Sequence, residues 1–472
     1  MLPSPSAPGS FPGPLVVLGG GPAGLATALY AHRAGIRFQL FERSARLGGL
    51  CRTFACGGHR YDSGAHRFHD RDPEITADLR AWTDDRLVRV EAPSRILHGG
   101  RYTAFPPSPL DWLRSQGLFS ALVVGGELLR GRLRPRPERS FADRAINLYG
   151  ERLGRPLLIA YSEKLWGLPA SELSPEVATR RLSGLGLAAL MLELFLPHRR
   201  SAHLDGSFLY PRGGYGTIAD SMAAMLPSAS LHPDHEVTGF DCDGGRIRAV
   251  RFAGRPQLEV PGRVVVTLPL GQVVCWLGSA LPDEAREAAA GLRFRHLRLV
   301  FLRLDQERLS DNATIYLPDP RLAVSRVSEP RNRWRPMAPP GETGLLAEVP
   351  CSSGDELHGL SDQALAERVV GELAGVGLID CRRVLEWRHH LLANAYPVYA
   401  RDYAPRLAAL MRALAAVGNL DLLGRSGRFW YSHLHDQLRA AKDYVRSLVA
   451  AEPREPRRPS MAAHMHRSEA RL

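Results

Sequence analysis

Residues 15–42 spell out a doubly wound α/β fold with a dinucleotide site at its first crossover. Three observations carry that reading. The apolar run Leu15–Leu18 is followed at once by Gly19, Gly21 and Gly24 in GxGxxG spacing. Helical sequence over Thr27–Ala34 then leads to a second apolar run, Phe38–Phe41. Glu42 closes that run. Glycines between a strand and a helix are the context in which this spacing has meaning. The first permits the tight turn, the second lets a pyrophosphate approach the backbone, and the third lets helix and strand pack closely. The helix terminus turns partial positive charge toward the phosphates. A carboxylate where Glu42 stands suits ribose hydroxyls. A plain tight turn would account for the glycines but not for Glu42.

Downstream, Gly48 and Gly49 suggest a second close backbone approach, followed by Arg52 and Thr53. Residues 100–111 read as an aromatic–proline loop, and 116–129 and 182–196 as apolar helices. Between them, 130–139 holds five arginines and reads as a solvated basic loop. Residues 232–252 alternate as a β-hairpin turning at Asp243-Gly244-Gly245. Val264–Thr267 and 294–304 read as strands, and 405–416 and 434–449 as helices. Residues 1–13 and 451–472 read as a disordered arm and tail.

The chain has 472 residues, 44% of them hydrophobic and 23% charged. That composition is globular and excludes collagenous, wholly disordered and disulfide-stapled classes. The formal net charge is +12, and all but Lys164 and Lys442 of the basic residues are arginine. No nucleic-acid module accompanies that charge, so no nucleic-acid partner is expected. The six cysteines show no zinc spacing. His389-His390 and His433/His435 lack an accompanying ligand at metal spacing, so no metal is expected. No secretory leader or long apolar run is present, and a cytoplasmic protein is expected.

The pattern GxGxxG, Glu42, Gly48-Gly49, Thr53 resembles FAD proteins of the amine oxidase, protoporphyrinogen oxidase and phytoene desaturase group. Many of these have Arg directly after the double glycine; here Leu50 stands there and Arg52 follows. YPRGGYGTI at 210–218 and VVVTLP at 264–269 resemble the group's returns to the cofactor domain. Val237 matches the position whose backbone meets adenine. LLGRSGRFWY at 422–431 resembles the last flavin-binding stretch and includes Gly424 and Arg425. The following helix would offer the Leu434 N–H to the flavin. The resemblance implies FAD as cofactor.

Further details are similar to UDP-galactopyranose mutases. YDSGAHRFHD at 61–70 places His66 near the flavin, by that match. YSEKLWG at 161–167 carries Tyr161 and Trp166, which the resemblance assigns to a uridine site. Arg180 or Arg181 would face a diphosphate, and AYPVY at 395–399 supplies Tyr396. The mutases have Asp-Met-Asp where this chain has His433-Leu434-His435, and YPRGGYG is closer to the oxidases and desaturases.

The reading is therefore a doubly wound Rossmann-type FAD domain from 14–75, 207–290 and 385–450, with a mixed α+β substrate lobe from 76–206 and 291–384. The first expected function is an FAD-dependent oxidoreductase passing hydride from a small organic substrate to flavin N5. A non-redox flavin mutase of a nucleotide sugar is the alternative, and a flavin-less scaffold the third. Apolar helices with basic ends also suit peripheral membrane contact through 116–139 and 182–200.

Overall fold

The computed structural model describes residues 14–104, 123–131, 133–177 and 207–451. Arg180, Arg181, residues 116–122 and 182–200, the arm at 1–13 and most of the tail lie outside them.

Five short strands form one parallel sheet. In spatial order they are Leu420–Leu422, Val264–Val266, β1 (Leu15–Leu18), β2 (Phe38–Phe41) and Leu231–His232. Val16 sits between Gln39 on one side and Val264 on the other. β1 and Val264–Val266 are buried at every position, as a sheet covered on both faces requires. The helix α1 (Pro22–Arg33) crosses from β1 to β2 and is buried from Ala23 to Ala31. It packs against the last helix, Leu434–Ala451. Tyr30 and Lys442 tie the two helices to Asp78, at 2.7 and 2.6 Å. The expected strands at 15–18, 38–41 and 264–267 are therefore neighbours, although the partner of Val264–Val266 comes from residue 420 onward.

The expected hairpin is Val237–Asp243 paired with Arg246–Phe252, extended by Arg255–Glu259. Gly244 and Gly245 both have positive φ (55° and 69°), as a two-residue turn of this hand needs.

A second sheet has seven strands. Phe294–Leu304 lies between Val384–Pro397 and Thr343–Cys351, antiparallel to both. The sheet continues through Arg326–Ser328, Thr314–Tyr316, Ser94–His98 and Arg101–Ala104. Two expectations are corrected here. The sequence division returned to the dinucleotide domain at 385, but Val384–Pro397 pairs with Phe294–Leu304, so this strand belongs to the second sheet. The sequence predicts a loop over 100–111, whereas Arg101–Ala104 is a strand turned back on Ser94–His98 at Gly99-Gly100. The FPPSP prolines masked that hairpin signal; residues 105–111 lie outside the described part.

Residues 123–131 are helical, and 133–139 are exposed. No described helix is long and apolar enough to cross a membrane.

Candidate functional site

The glycine turn at the end of β1 is fixed by contacts that leave no room for a side chain at Gly24 or Gly49. A Cβ on Gly24 would stand 1.9 Å from the Gly19 carbonyl oxygen, and one on Gly49 would stand 2.9 Å from the Gly21 Cα. Gly21 itself caps α1 with no side-chain hydrogen bond, and Pro22 opens the helix. A Cβ there would meet only the Gly49 Cα, at 3.9 Å. The Gly48 N–H donates to the Gly20 carbonyl at 2.8 Å, which brings the double glycine beside the first turn.

Glu42 is buried at the end of β2. Its Oε2 accepts from the Gly20 N–H at 2.8 Å, and its Oε1 accepts from the Ser44 N–H and hydroxyl. The Glu42 N–H donates to the His232 carbonyl, and the His235 N–H donates back to Glu42. This exchange carries Val237 to the same end of the sheet. Arg52 donates to Ser44 Oγ at 2.6 Å, while its Nε is buried without a partner. Thr53 also ties the protein segments of this region together. Its hydroxyl donates to Asp62 at 2.7 Å and accepts from the Gly216 N–H at 2.8 Å, so it joins two protein segments. Gly424 has φ 76°, and a Cβ on it would lie 3.0 Å from Ala23 Cβ. The last flavin-like stretch thus lies against the start of α1. Leu434 begins the final helix, where Asp436 accepts the His433 N–H at 2.8 Å.

His66 stacks on Tyr215, with ring centroids 4.7 Å apart. The Ser63 hydroxyl donates to the Leu50 carbonyl and lies 3.3 Å from His66 Nε2. With that hydroxyl proton already committed, the network assigns the imidazole proton to Nε2 and leaves Nδ1 as an acceptor. Burial, followed by the nearby Arg326, Arg333 and Arg425, holds the His66 pKa down to about 3. The ring is neutral at ordinary pH.

Trp166, Tyr396 and Arg425 come together, from positions far apart in the chain. The Arg425 guanidinium lies 5.2 Å from the Tyr396 ring centre and 4.7 Å from that of Tyr431. Trp166 meets Tyr396 and Tyr431 edge-on, at 6.2 and 5.5 Å. The Trp166 Nε1 and Arg425 Nε are buried without partners. Tyr161 lies against Tyr316, at 5.4 Å. Burial pushes the Tyr396 pKa up to about 12.

Other residues around His66 and Tyr396 carry no sequence signal. Arg326 pairs with buried Glu348 at 2.7 Å and reaches the Tyr396 hydroxyl at 3.4 Å. Glu348 Oε1 also accepts the Ala65 N–H at 2.8 Å, beside His66. This carboxylate links the second sheet to the glycine–histidine segment. Asp62 accepts from Thr53, the Tyr215 N–H and the Tyr210 hydroxyl. Burial raises its pKa. Arginines such as Arg326 are indistinguishable in a chain this rich in them, and only the sheet register selects these.

These residues fit FAD. The cradle around Gly21 would be filled by side chains at its glycines, and the unpartnered Nε atoms of Arg52 and Arg425 stand on cofactor-motif segments. A parallel sheet that brings a helix terminus and Glu42 to one glycine turn, joined to a second, mostly antiparallel sheet, is the architecture of a Rossmann-type dinucleotide-binding protein with a substrate lobe. The chain belongs to the flavin-containing amine oxidoreductase family, whose profile matches residues 22–409. Among curated proteins it is 28% identical to coproporphyrinogen III oxidase of Mycobacterium leprae over 228 residues, 44% of this chain and 49% of that one. The chain thus spans about half the length of that relative. Among solved structures it resembles reduced UDP-galactopyranose mutase with a TM-score of 0.82 and 18% identity, over 93% of this chain and 96% of that one. It also resembles a protein from Exiguobacterium sp. 255-15 provisionally named protoporphyrinogen oxidase, with a TM-score of 0.73 and 22% identity, over 94% and 99% of the two chains. These structural likenesses describe the fold.

Proposed function

We propose that the chain oxidises a small organic substrate by hydride removal, using FAD. The observation that supports this reading most is the glycine cradle at Gly21 and Gly49 facing Glu42. Bound FAD supplies the hydride acceptor. The α1 terminus and the Gly21 N–H region bind the diphosphate, and Glu42 holds ribose hydroxyls. Neutral His66 offers Nδ1 as a hydrogen-bond acceptor for the substrate. Trp166, Tyr396 and Tyr431 exclude water and orient a planar or extended substrate. The test is a metabolite screen for anaerobic bleaching of the bound flavin. A compound that bleaches it, with reoxidation by oxygen or another acceptor, supports the reading. A screen in which no metabolite reduces the flavin of a fully loaded protein counts against it.

A second reading, a nucleotide-sugar mutase, is favoured by one observation. The positions that the mutase resemblance assigns to substrate, Trp166 and Tyr396, do meet beside Arg425. Dithionite-reduced protein incubated with UDP-galactopyranose separates the readings. Furanose product supports the mutase, and its absence together with metabolite bleaching supports the oxidoreductase.

A further inference from the structure

Among the described residues, Arg333 is a buried guanidinium near His66 that has no ion-pair partner. It is 5% exposed. No described carboxylate lies within ion-pair distance of it, whereas Arg326 beside it has Glu348. Its Nε is buried without a partner. Its Nη2 donates to Thr314 Oγ1 at 3.2 Å, and Arg67 Nη2 donates to that same oxygen at 3.1 Å. Arg67 also donates to Ser94 Oγ and lies over the Phe208 ring. Two guanidiniums therefore converge on one buried hydroxyl. Asp62, the acid whose charge acts on Arg333, already accepts from Thr53, Tyr210 and the Tyr215 N–H.

Like charges brought together away from water are costly, and native folds pair them. Burial draws the Arg333 pKa down to about 10, and Arg67 and Arg326 push in the same direction. Even so, the group remains a cation at neutral pH. The same positive field acts on His66, which feels Arg326, Arg333 and Arg425. A planar anion would receive the donor fork of Arg333 and relieve the repulsion from Arg67. The glycine cradle that serves the cofactor diphosphate lies on other segments, at Gly19–Gly24 and Gly48–Gly49.

We infer that Arg333, with Arg67 and the Thr314 hydroxyl, forms a subsite for a carboxylate carried by the substrate. This deepens the oxidoreductase reading and depends on it for the carboxylate being the substrate's own. A substrate so held is an organic acid with its oxidisable carbon turned toward His66.

The experiment is titration of the FAD-loaded protein with benzoate and, separately, with inorganic phosphate, read as a change in the visible flavin spectrum. Saturable binding of benzoate is expected. Arg333→Met should weaken it by about 10- to 100-fold, as loss of a charge-assisted hydrogen-bond pair does. Arg333→Lys, which keeps the charge without the fork, should fall between. Arg333→Met should retain the wild-type flavin content and melt no lower than wild type, because an unanswered buried charge has been removed. Equal benzoate affinity in wild type and Arg333→Met would overturn the subsite. So would phosphate binding in preference to benzoate, a flavin content that falls with the arginine, or marked destabilisation of Arg333→Met. Failure of every metabolite to bleach a flavin that still reports Arg333-dependent benzoate binding would sink the oxidoreductase reading and leave the subsite standing.

Discussion

Two glycines one turn apart do different work, and the difference can be measured. A methyl group on Gly24 would run into the Gly19 carbonyl at 1.9 Å, and both atoms belong to backbone that cannot move without breaking the turn. Gly24→Ala should therefore lower stability and flavin content together. A methyl group on Gly21 meets ordinary contact at 3.9 Å. Gly21→Val should leave the melting temperature of the flavin-free protein near wild type while abolishing flavin retention, because the side chain then occupies the side on which a pyrophosphate must approach. Retention of FAD by Gly21→Val would contradict the cradle. The GxGxxG spacing made these positions legible, since each glycine has a local reason to be there. His66 was legible only by resemblance. Its neutrality was not, because it arises from burial in the folded chain and then from Arg326, Arg333 and Arg425, which approach from distant segments.

The helix Ala160–Trp166 is anchored by one of the two lysines in the chain. Lys164 Nζ donates to the carbonyls of Leu317, Asp319 and Val324, at 2.9, 2.9 and 2.6 Å. This ammonium clamps the turn that follows Thr314–Tyr316, and so sets Tyr161 against Tyr316. Burial lowers the Lys164 pKa to about 7, with Glu372 and Asp319 opposing. Its folded pKa lies below its unfolded value, so its contribution to stability rises with pH between about 7 and the ordinary lysine range and is constant, at its lowest, below about 7. Lys164→Met leaves three carbonyls without this donor and should destabilise the protein by about 2–3 kcal/mol. Denaturant melts of variant and wild type at pH 7 would check this. An unchanged midpoint would show that the clamp contributes nothing. The helix was recognisable only as part of the YSEKLWG match. Nothing in the sequence linked Lys164 to residues 317–324, since backbone carbonyls carry no sequence identity.

At the scale of the molecule, elements with local signals were legible and their partners were not. Leu15–Leu18 and Phe38–Phe41 form where the apolar runs lie, whereas the pairing of Val264 with Leu420 depends on the whole intervening chain. The same long closure brings His69 to His433, whose rings meet at 6.3 Å, and His433 stacks on His435. Arg67, Arg71 and Arg425 act on this cluster as like charges, and Asp436 and Asp72 oppose them. Burial, ahead of the neighbouring charges, holds His69 down to about 3 and His433 to about 4, as it does His66. In the unfolded chain these imidazoles charge near pH 6.5. Between about pH 6.5 and 4 the unfolded state therefore binds more protons, and stability falls as the pH falls. Carboxylates act in a lower window. Arg439 holds Asp72 at about 2, so its contribution is complete above the ordinary Asp range and is lost only as the pH approaches 2. Acid destabilisation should thus begin on the histidine side of neutrality, well before Asp72 protonates. Melting temperatures of the FAD-loaded protein should drop between pH 7 and 4.5, and the slope should shrink in a His69→Gln/His433→Gln double variant. A flat profile over that range, or an undiminished slope in the double variant, would show that these histidines are not held neutral at the joint between the two ends of the chain.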